Sequence, residues 1–278
     1  MGERVAQLWQ QQHSHIYTAG RSDQTVVDTS RLHIRADLDK PASLRPLSKL
    51  INRDAIVYYF APPPNEGAAD PRMESFLSAL EAPPKKIIYI STSGVYGDCH
   101  GEWITEERPT KPDTPRSQRR LAAEIALQQW CTSNRVASVI LRVGGIYAPN
   151  KLPLERLKAG MNVLQRDHAP FSNRIHADDL ANICFAANHC PHDHAIYNVS
   201  DGHPSTMSDY FITVANSAGL APPNEIDWKT AQETLSPAML SYLNESKRLD
   251  SSKVLKELEV SLKYPTLNDG LRACGLNA

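Results

Sequence analysis

Lys86-Ile87-Ile88-Tyr89-Ile90-Ser91-Thr92-Ser93-Gly94-Val95-Tyr96-Gly97-Asp98 is a run of β-branched and aromatic residues that stops in three hydroxyl side chains and a glycine turn. An apolar run this short, without polar alternation, is the pattern of a strand buried on both faces and therefore of a parallel sheet. Its end presents small hydrogen-bonding groups at the carboxyl edge, where open α/β sheets bind ligands. Taken alone, the segment also reads as an ordinary Ser/Thr-rich turn.

Similar runs occur at His15 to Ala19 (HIYTA), Ala55 to Ala61 (AIVYYFA), Ala137 to Val143 (ASVILRV) and Ala195 to Val199 (AIYNV). Each is bounded by polar, helix-compatible sequence. Glu3 to Gln12 sets Val5, Leu8 and Trp9 at helical spacing, and Asp70 to Ala82 and Pro115 to Cys131 read as further helices. The last has Thr114 as N-cap and Pro115 at the first helical position. Alternating buried strands and helices predict an α/β doubly wound parallel sheet over residues 1–146. After Ile146 come turns at Pro149-Asn150, Asp201-Gly202 and Pro222-Pro223-Asn224. This predicts a smaller mixed lobe over 147–278, with 195–200 returning to the main sheet.

Composition narrows the function. With 278 residues, 41% hydrophobic, 22% charged and a formal charge of -1, the chain is neither fibrous nor disordered and has no basic footprint for nucleic acid or an anionic membrane. No apolar stretch approaches the ~20 residues of a membrane helix. The start, Met-Gly-Glu-Arg, has no apolar signal core, so a cytoplasmic protein is expected. Five scattered cysteines without a C-x-x-C pair suggest reduced thiols rather than disulfides or a zinc ribbon. The loop Asn188-His189-Cys190-Pro191-His192-Asp193-His194 has ligating side chains packed too closely for a closed tetrahedral site, and no metal is expected. Glu106, Glu107, Asp113 and Glu124 read as surface charge.

Three further segments follow the hydroxyl turn in order: LRVGGIYAPN (Leu141 to Asn150), NRIHADDLA (Asn173 to Ala181) and IYNVSDG (Ile196 to Gly202). With it they resemble the extended short-chain dehydrogenase/reductase superfamily, of the NAD-dependent epimerase/dehydratase type. The closing ESKRLDSSKVLKELEV…YPTLNDGL resembles the C-terminal lobe of an atypical oxidoreductase subgroup. The resemblance covers nearly the whole chain. It implies a Rossmann domain binding NADP or NAD and a lobe for a small-molecule substrate.

Carried over by position, the resemblance makes Thr92 the catalytic hydroxyl that would bond the reacting substrate oxygen, with Ser91 on the cofactor side. Arg21 falls where a basic residue stacks on adenine or meets the 2′-phosphate of NADP, and tips the choice slightly toward NADP. A solvated arginine in a turn is the other reading. Asp37 and Leu38 match the pair that contacts adenine. Ala61 and Pro62 approach the ribose and pyrophosphate, and Val143, Gly144, Gly145 and Ile146 line the nicotinamide side. Arg174 and His176 match a substrate-lobe motif, and bridging the two lobes is an equally open role for them.

Two departures stand out. The superfamily's helical Tyr-x-x-x-Lys corresponds here to Arg116-Ser117-Gln118-Arg119-Arg120, so Arg116 replaces the tyrosine and Arg120 the lysine. Arginine stays protonated and cannot serve as general acid-base. Arg120 keeps position and charge for the ribose or an anionic group, while a solvated basic helix face is the competing reading. Tyr96, His100 and His176, and less so Tyr147, are the candidates for a substitute proton donor. The second departure is the phosphate-binding turn, of which Gly2 matches only the last glycine. The first strand of the motif is absent from the chain, which predicts a native start some 10 to 20 residues upstream, about a strand plus its turn.

The expected function is an NAD(P)-binding oxidoreductase of epimerase/dehydratase type acting on a small or nucleotide-linked substrate. The alternative is a catalytically weak or inactive dinucleotide-binding sensor or scaffold. Analogy with the superfamily suggests a homodimer through the helix at Pro115 to Cys131.

Overall fold

The computed structural model describes residues 1–12, 15–23 and 31–278. In chain order the elements that build the candidate site are α1 (Gly2–Gln10), β1 (Ile16–Gly20), β2 (Arg31–Arg35), β3 (Ile56–Tyr59), α2 (Pro71–Ala79), β4 (Lys86–Thr92), α3 (Pro115–Asn134), β5 (Ala137–Val143), α4 (Ala177–Ala186) and β6 (His194–Val199). Strands β3 to β6 form one parallel sheet in the order β6-β5-β4-β3. The register sets Thr92 opposite Val143 and Val143 opposite Val199. Three strands therefore end level, and the loops that follow them share one edge.

A sheet buried on both faces needs helices on both. Along β4 the side chains alternate between two cores. Ile88 and Ile90 join Val139, Leu141 and Tyr197 beneath Val5 of α1 and Leu180 and Ile183 of α4. Ile87 and Tyr89 join Tyr59 and Ile140 beneath Phe76 and Leu77 of α2 and Leu127 and Cys131 of α3. The α/β doubly wound layering expected from the apolar runs is thus the layering observed. α3 starts as its capping residues dictate: Thr114 Oγ1 accepts from the Ser117 amide at 3.2 Å, and Pro115 opens the first turn. It ends at Arg135, whose backbone is left-handed (φ 56°).

β1 and β2 pair in parallel as a separate two-stranded sheet. Among the described residues no strand pairs with the second edge of β1 or of β3. β2 (RLHIR) has no counterpart among the expected strands, because only Ile34 of its five residues is buried and charge masks the pattern. Beyond β5, short pairings fold the later chain over the carboxyl edge. Gly145–Tyr147 pairs with Arg174–His176, and Trp103–Ile104 with Arg248–Leu249. The helices Met207–Ser217 and Leu267–Ala273 share a small core of Leu157, Val163, Phe211 and Leu271. No helix among the described residues is long and apolar enough to cross a membrane.

Candidate active site

Thr92 closes β4 and caps the helical turn Ser93–Tyr96, its Oγ1 accepting from the Gly94 amide at 3.2 Å. It is partly exposed, and the hydroxyl keeps its own proton for another acceptor. Ser117, in the first turn of α3, lies against Gly94: a Cβ there would stand 3.1 Å from Ser117 Oγ. The start of α3 is thereby seated on the hydroxyl turn.

Of the arginines at the start of α3, Arg119 is buried and Arg116 and Arg120 are partly exposed. Arg120 Nη1 donates to the Ile90 carbonyl at 3.1 Å and to Tyr89 Oη at 3.2 Å, placing its guanidinium beside the last residues of β4. Burial pushes the Tyr89 phenol up to about 12, so it meets Arg120 as a neutral oxygen. Arg119 is 7% exposed and donates through Nη1 to the Gly67 carbonyl at 2.9 Å. Arg116 lies over the Tyr242 ring, 4.0 Å from its centroid, and so joins α3 to the helix Pro237–Leu243.

Two of the candidates from the hydroxyl turn point the other way. Ser91 is buried and donates to Glu124, because alternation along β4 sends it to the α3 side of the sheet. Tyr96 is 1% exposed and its Oη donates to Asn198 Oδ1 at 2.7 Å. Burial raises its pKa, so neither placement nor acidity suits it to proton transfer. The other substitute donors fare no better. Tyr147 is buried, and exposed His100 faces Asp98. His176 is 2% exposed and its Nδ1 accepts from the Asp178 amide at 3.2 Å, which caps α4. Burial lowers its pKa and keeps the ring neutral.

On the adenosine side the loops after β1, β2 and β3 carry Arg21, Asp37, Leu38, Ala61 and Pro62. Arg21 is exposed, and Asp37 holds a tight turn through Oδ1, which accepts from the Asp39 amide at 3.1 Å. Leu38 and Ala61 pack on the α2 side of the core, and Pro62 is exposed. Arg72 of α2 ties the segments together, donating to both Asp39 oxygens at 2.7 and 2.6 Å and to the Pro62 carbonyl at 3.0 Å. Gly2 opens α1, and a Cβ there would make only ordinary contact with Phe60, at 3.6 Å.

After β5, Val143 is buried and Ile146 packs against the α1 side. Gly144 is pinned: its amide bonds the Val199 carbonyl at 3.0 Å, and a Cβ would stand 2.9 Å from the Asn173 carbonyl oxygen. A Cβ on Gly145 would meet Arg174 Nη1 at 2.5 Å. Arg174 donates to the Asn173 carbonyl and lies 4.2 Å over the Tyr210 ring.

A model of the NAD dependent epimerase/dehydratase family matches residues 1–200. The chain belongs to this family. Protein YeeZ of Escherichia coli K12 is 28% identical over 193 residues, which are 68% of this chain and 62% of that protein. A functionally unknown conserved protein from Silicibacter pomeroyi has the same fold, with TM-score 0.81 and 26% identity over 99% of this chain and 95% of its own. The UDP-glucuronic acid 4-epimerase of Bacillus cereus, solved with NAD, is alike in fold alone, at TM-score 0.74 and 19% identity over 98% and 90% of the two chains.

Within this family member, Arg72 and the pair Glu124–Arg142 are the site-supporting residues that sequence reasoning missed. Glu124 is 1% exposed and accepts from Arg142 Nε and Nη2 as well as from Ser91, which corrects its reading as surface charge. Glu106 likewise accepts from the Asn198 amide at 2.7 Å. A signal for Glu124 exists. It stands three residues before Leu127 and seven before Cys131, on the buried stripe of α3.

Proposed function

We propose that this chain is an NAD(P)-dependent enzyme of epimerase/dehydratase type, acting on a small or nucleotide-linked hydroxy compound above the carboxyl ends of β4 and β5. The observation that carries the reading is Thr92 at the end of β4, partly exposed and with its hydroxyl proton uncommitted, while Arg120 Nη1 reaches the Ile90 carbonyl two residues earlier in the strand. The residues present fit a dinucleotide. Arg72 draws the loops bearing Asp37 and Pro62 together, and Nε and Nη2 of Arg120 have no protein partner among the described residues. NAD or NADP, when bound, supplies the hydride acceptor.

The chain's own residues do the rest. Arg21 stacks on or pairs with the adenosine half, and Asp37 accepts from the adenine amino group. Thr92 donates a hydrogen bond, not its proton, to the reacting substrate oxygen, and the proton that this oxygen loses on oxidation would pass to bulk water. Arg116 never releases a proton, so charge developing on that oxygen is met by the fixed guanidinium of Arg120 instead of a phenol.

Titration of NADH and NADPH fluorescence tests binding, and turnover on a panel of carbonyl compounds and nucleotide sugars tests chemistry. Thr92→Ala is expected to abolish turnover and leave binding within about twofold. Absence of dinucleotide binding overturns the reading. A second reading, a dinucleotide-binding sensor or scaffold, draws support from the burial of Tyr96, Tyr147 and His176. Binding without turnover, unaltered by Thr92→Ala, selects it. We also propose a homodimer through α3, on whose outer side Ile125 is 45% exposed, and a cytoplasmic location.

A further inference from the structure

Tyr89 stands three residues before Thr92 on β4, on the face that packs under α2 and α3. It is fully buried among Ile87, Phe76, Leu127 and Ile140. The Tyr59 ring meets it edge-on with centroids 5.8 Å apart, and Phe76 holds the Tyr59 ring in turn at 5.3 Å. A phenol so enclosed is fixed in place, and its oxygen needs a partner. Arg120 Nη1 is that partner, at 3.2 Å.

Arg120 has few other ties. Nη1 also donates to the Ile90 carbonyl at 3.1 Å, and among the described residues Tyr89 is the only side chain that bonds the guanidinium. Asp70, whose charge bears on Arg120, spends Oδ1 on the cap of α2, accepting from the Arg72 and Met73 amides at 3.1 and 3.3 Å. Both bonds of Arg120 are therefore made by one nitrogen. Nε and Nη2 have no protein partner among the described residues, and with the side chain partly exposed they are open to solvent.

A guanidinium is planar, so holding Nη1 between two fixed acceptors sets the plane and with it the direction of Nε and Nη2. An ammonium group carries rotatable donors and would gain no such direction from a phenol. We propose that Tyr89 is a positioning residue, which sets the plane of Arg120 so that Nε and Nη2 are presented to the dinucleotide. This deepens the enzymatic reading above and rests on its dinucleotide.

Fluorescence titration of the full chain with NADPH and NADH tests the role. Tyr89→Phe keeps the ring and removes only the oxygen, and is expected to weaken the tighter-binding dinucleotide about fivefold or more. In the Arg120→Lys background, where there is no plane to set, the same change is expected to matter less than about twofold. An equal loss in both backgrounds is the mark of a purely structural tyrosine and overturns the proposal, as does a loss below about fivefold in the otherwise unaltered chain. Nitrogen NMR of the unaltered chain gives a readout that does not depend on the variant folding, with the Arg120 signals identified by their disappearance in Arg120→Lys. Separate Nη1 and Nη2 signals before ligand is added, and an Nε signal that moves when the dinucleotide binds, are expected; averaged Nη signals or an unmoved Nε overturn the proposal. If neither dinucleotide binds the unaltered chain, the reading above fails and the positioning role with it. If one binds and Tyr89→Phe binds it equally well, only the positioning role fails.

Discussion

The carboxylate of Glu124 and the guanidinium of Arg142 form an ion pair whose side chains are 1% and 6% exposed, with Arg142 Nη2 2.8 Å from Glu124 Oε2. It joins α3 to β5 directly behind Thr92. The other face of Arg142 lies 4.8 Å over the Tyr96 ring, and Tyr96 passes the linkage to Asn198 of β6. Removing one partner leaves the other charge buried and alone. Glu124→Ala is therefore expected to destabilise the fold by about 3–5 kcal/mol in urea unfolding, and Glu124→Leu with Arg142→Met by less than either single change.

Asp201 follows β6 and is 4% exposed, its Oδ1 accepting from the His203 amide and its Oδ2 buried without a partner. Burial raises its pKa from 3.8 to about 6. The folded chain therefore holds a proton that the unfolded chain has released between those values. Stability is highest below the unfolded pKa and falls as pH rises through the folded one, by about 3 kcal/mol in order of magnitude. Thermal melts between pH 3.5 and 7.5 should show this decline, and Asp201→Asn should flatten it.

Two glycines assigned to the cofactor differ in what the protein asks of them. Gly144→Ala drives a methyl against the Asn173 carbonyl oxygen at 2.9 Å on a backbone already bonded to Val199, and is expected to cost about 1–3 kcal/mol by thermal melt. Gly2→Ala meets Phe60 at an ordinary 3.6 Å and should leave stability within about 0.5 kcal/mol. If the pyrophosphate approaches the start of α1, Gly2→Ala weakens NAD(P)H binding nonetheless.

Arg72 holds the Asp39 and Pro62 loops with a two-pronged pair and a third bond. Because the pair is partly exposed, Arg72→Ala should change stability by no more than about 1 kcal/mol. Dinucleotide affinity should drop about tenfold as the loops part, read by fluorescence titration. Arg72→Lys should not restore it, since a single ammonium cannot span both oxygens and the carbonyl.

The sequence by itself determined the layered fold, because strands buried on both faces must be apolar throughout and such runs are visible at Lys86 and Ala137. It determined the start of α3, which Thr114 and Pro115 specify through backbone chemistry alone. It also set the expectation that Arg116 and Arg120 stand where the superfamily has a phenol and an amine, and hence that neither of the two exchanges a proton there. β2 stayed hidden because a strand with one buried residue has no apolar signature.

Only the tertiary structure decided which polar groups face the site. Ser91 and Thr92 are neighbours in sequence, yet successive side chains of a strand point to opposite faces, so one enters the core and the other stays partly exposed. Tyr96 and Glu124 read as a site residue and as surface charge, and both are interior, because their partners Asn198 and Arg142 come from strands far away in sequence. The burial of a polar group depends on such partners, and these are set by packing between elements rather than by local sequence.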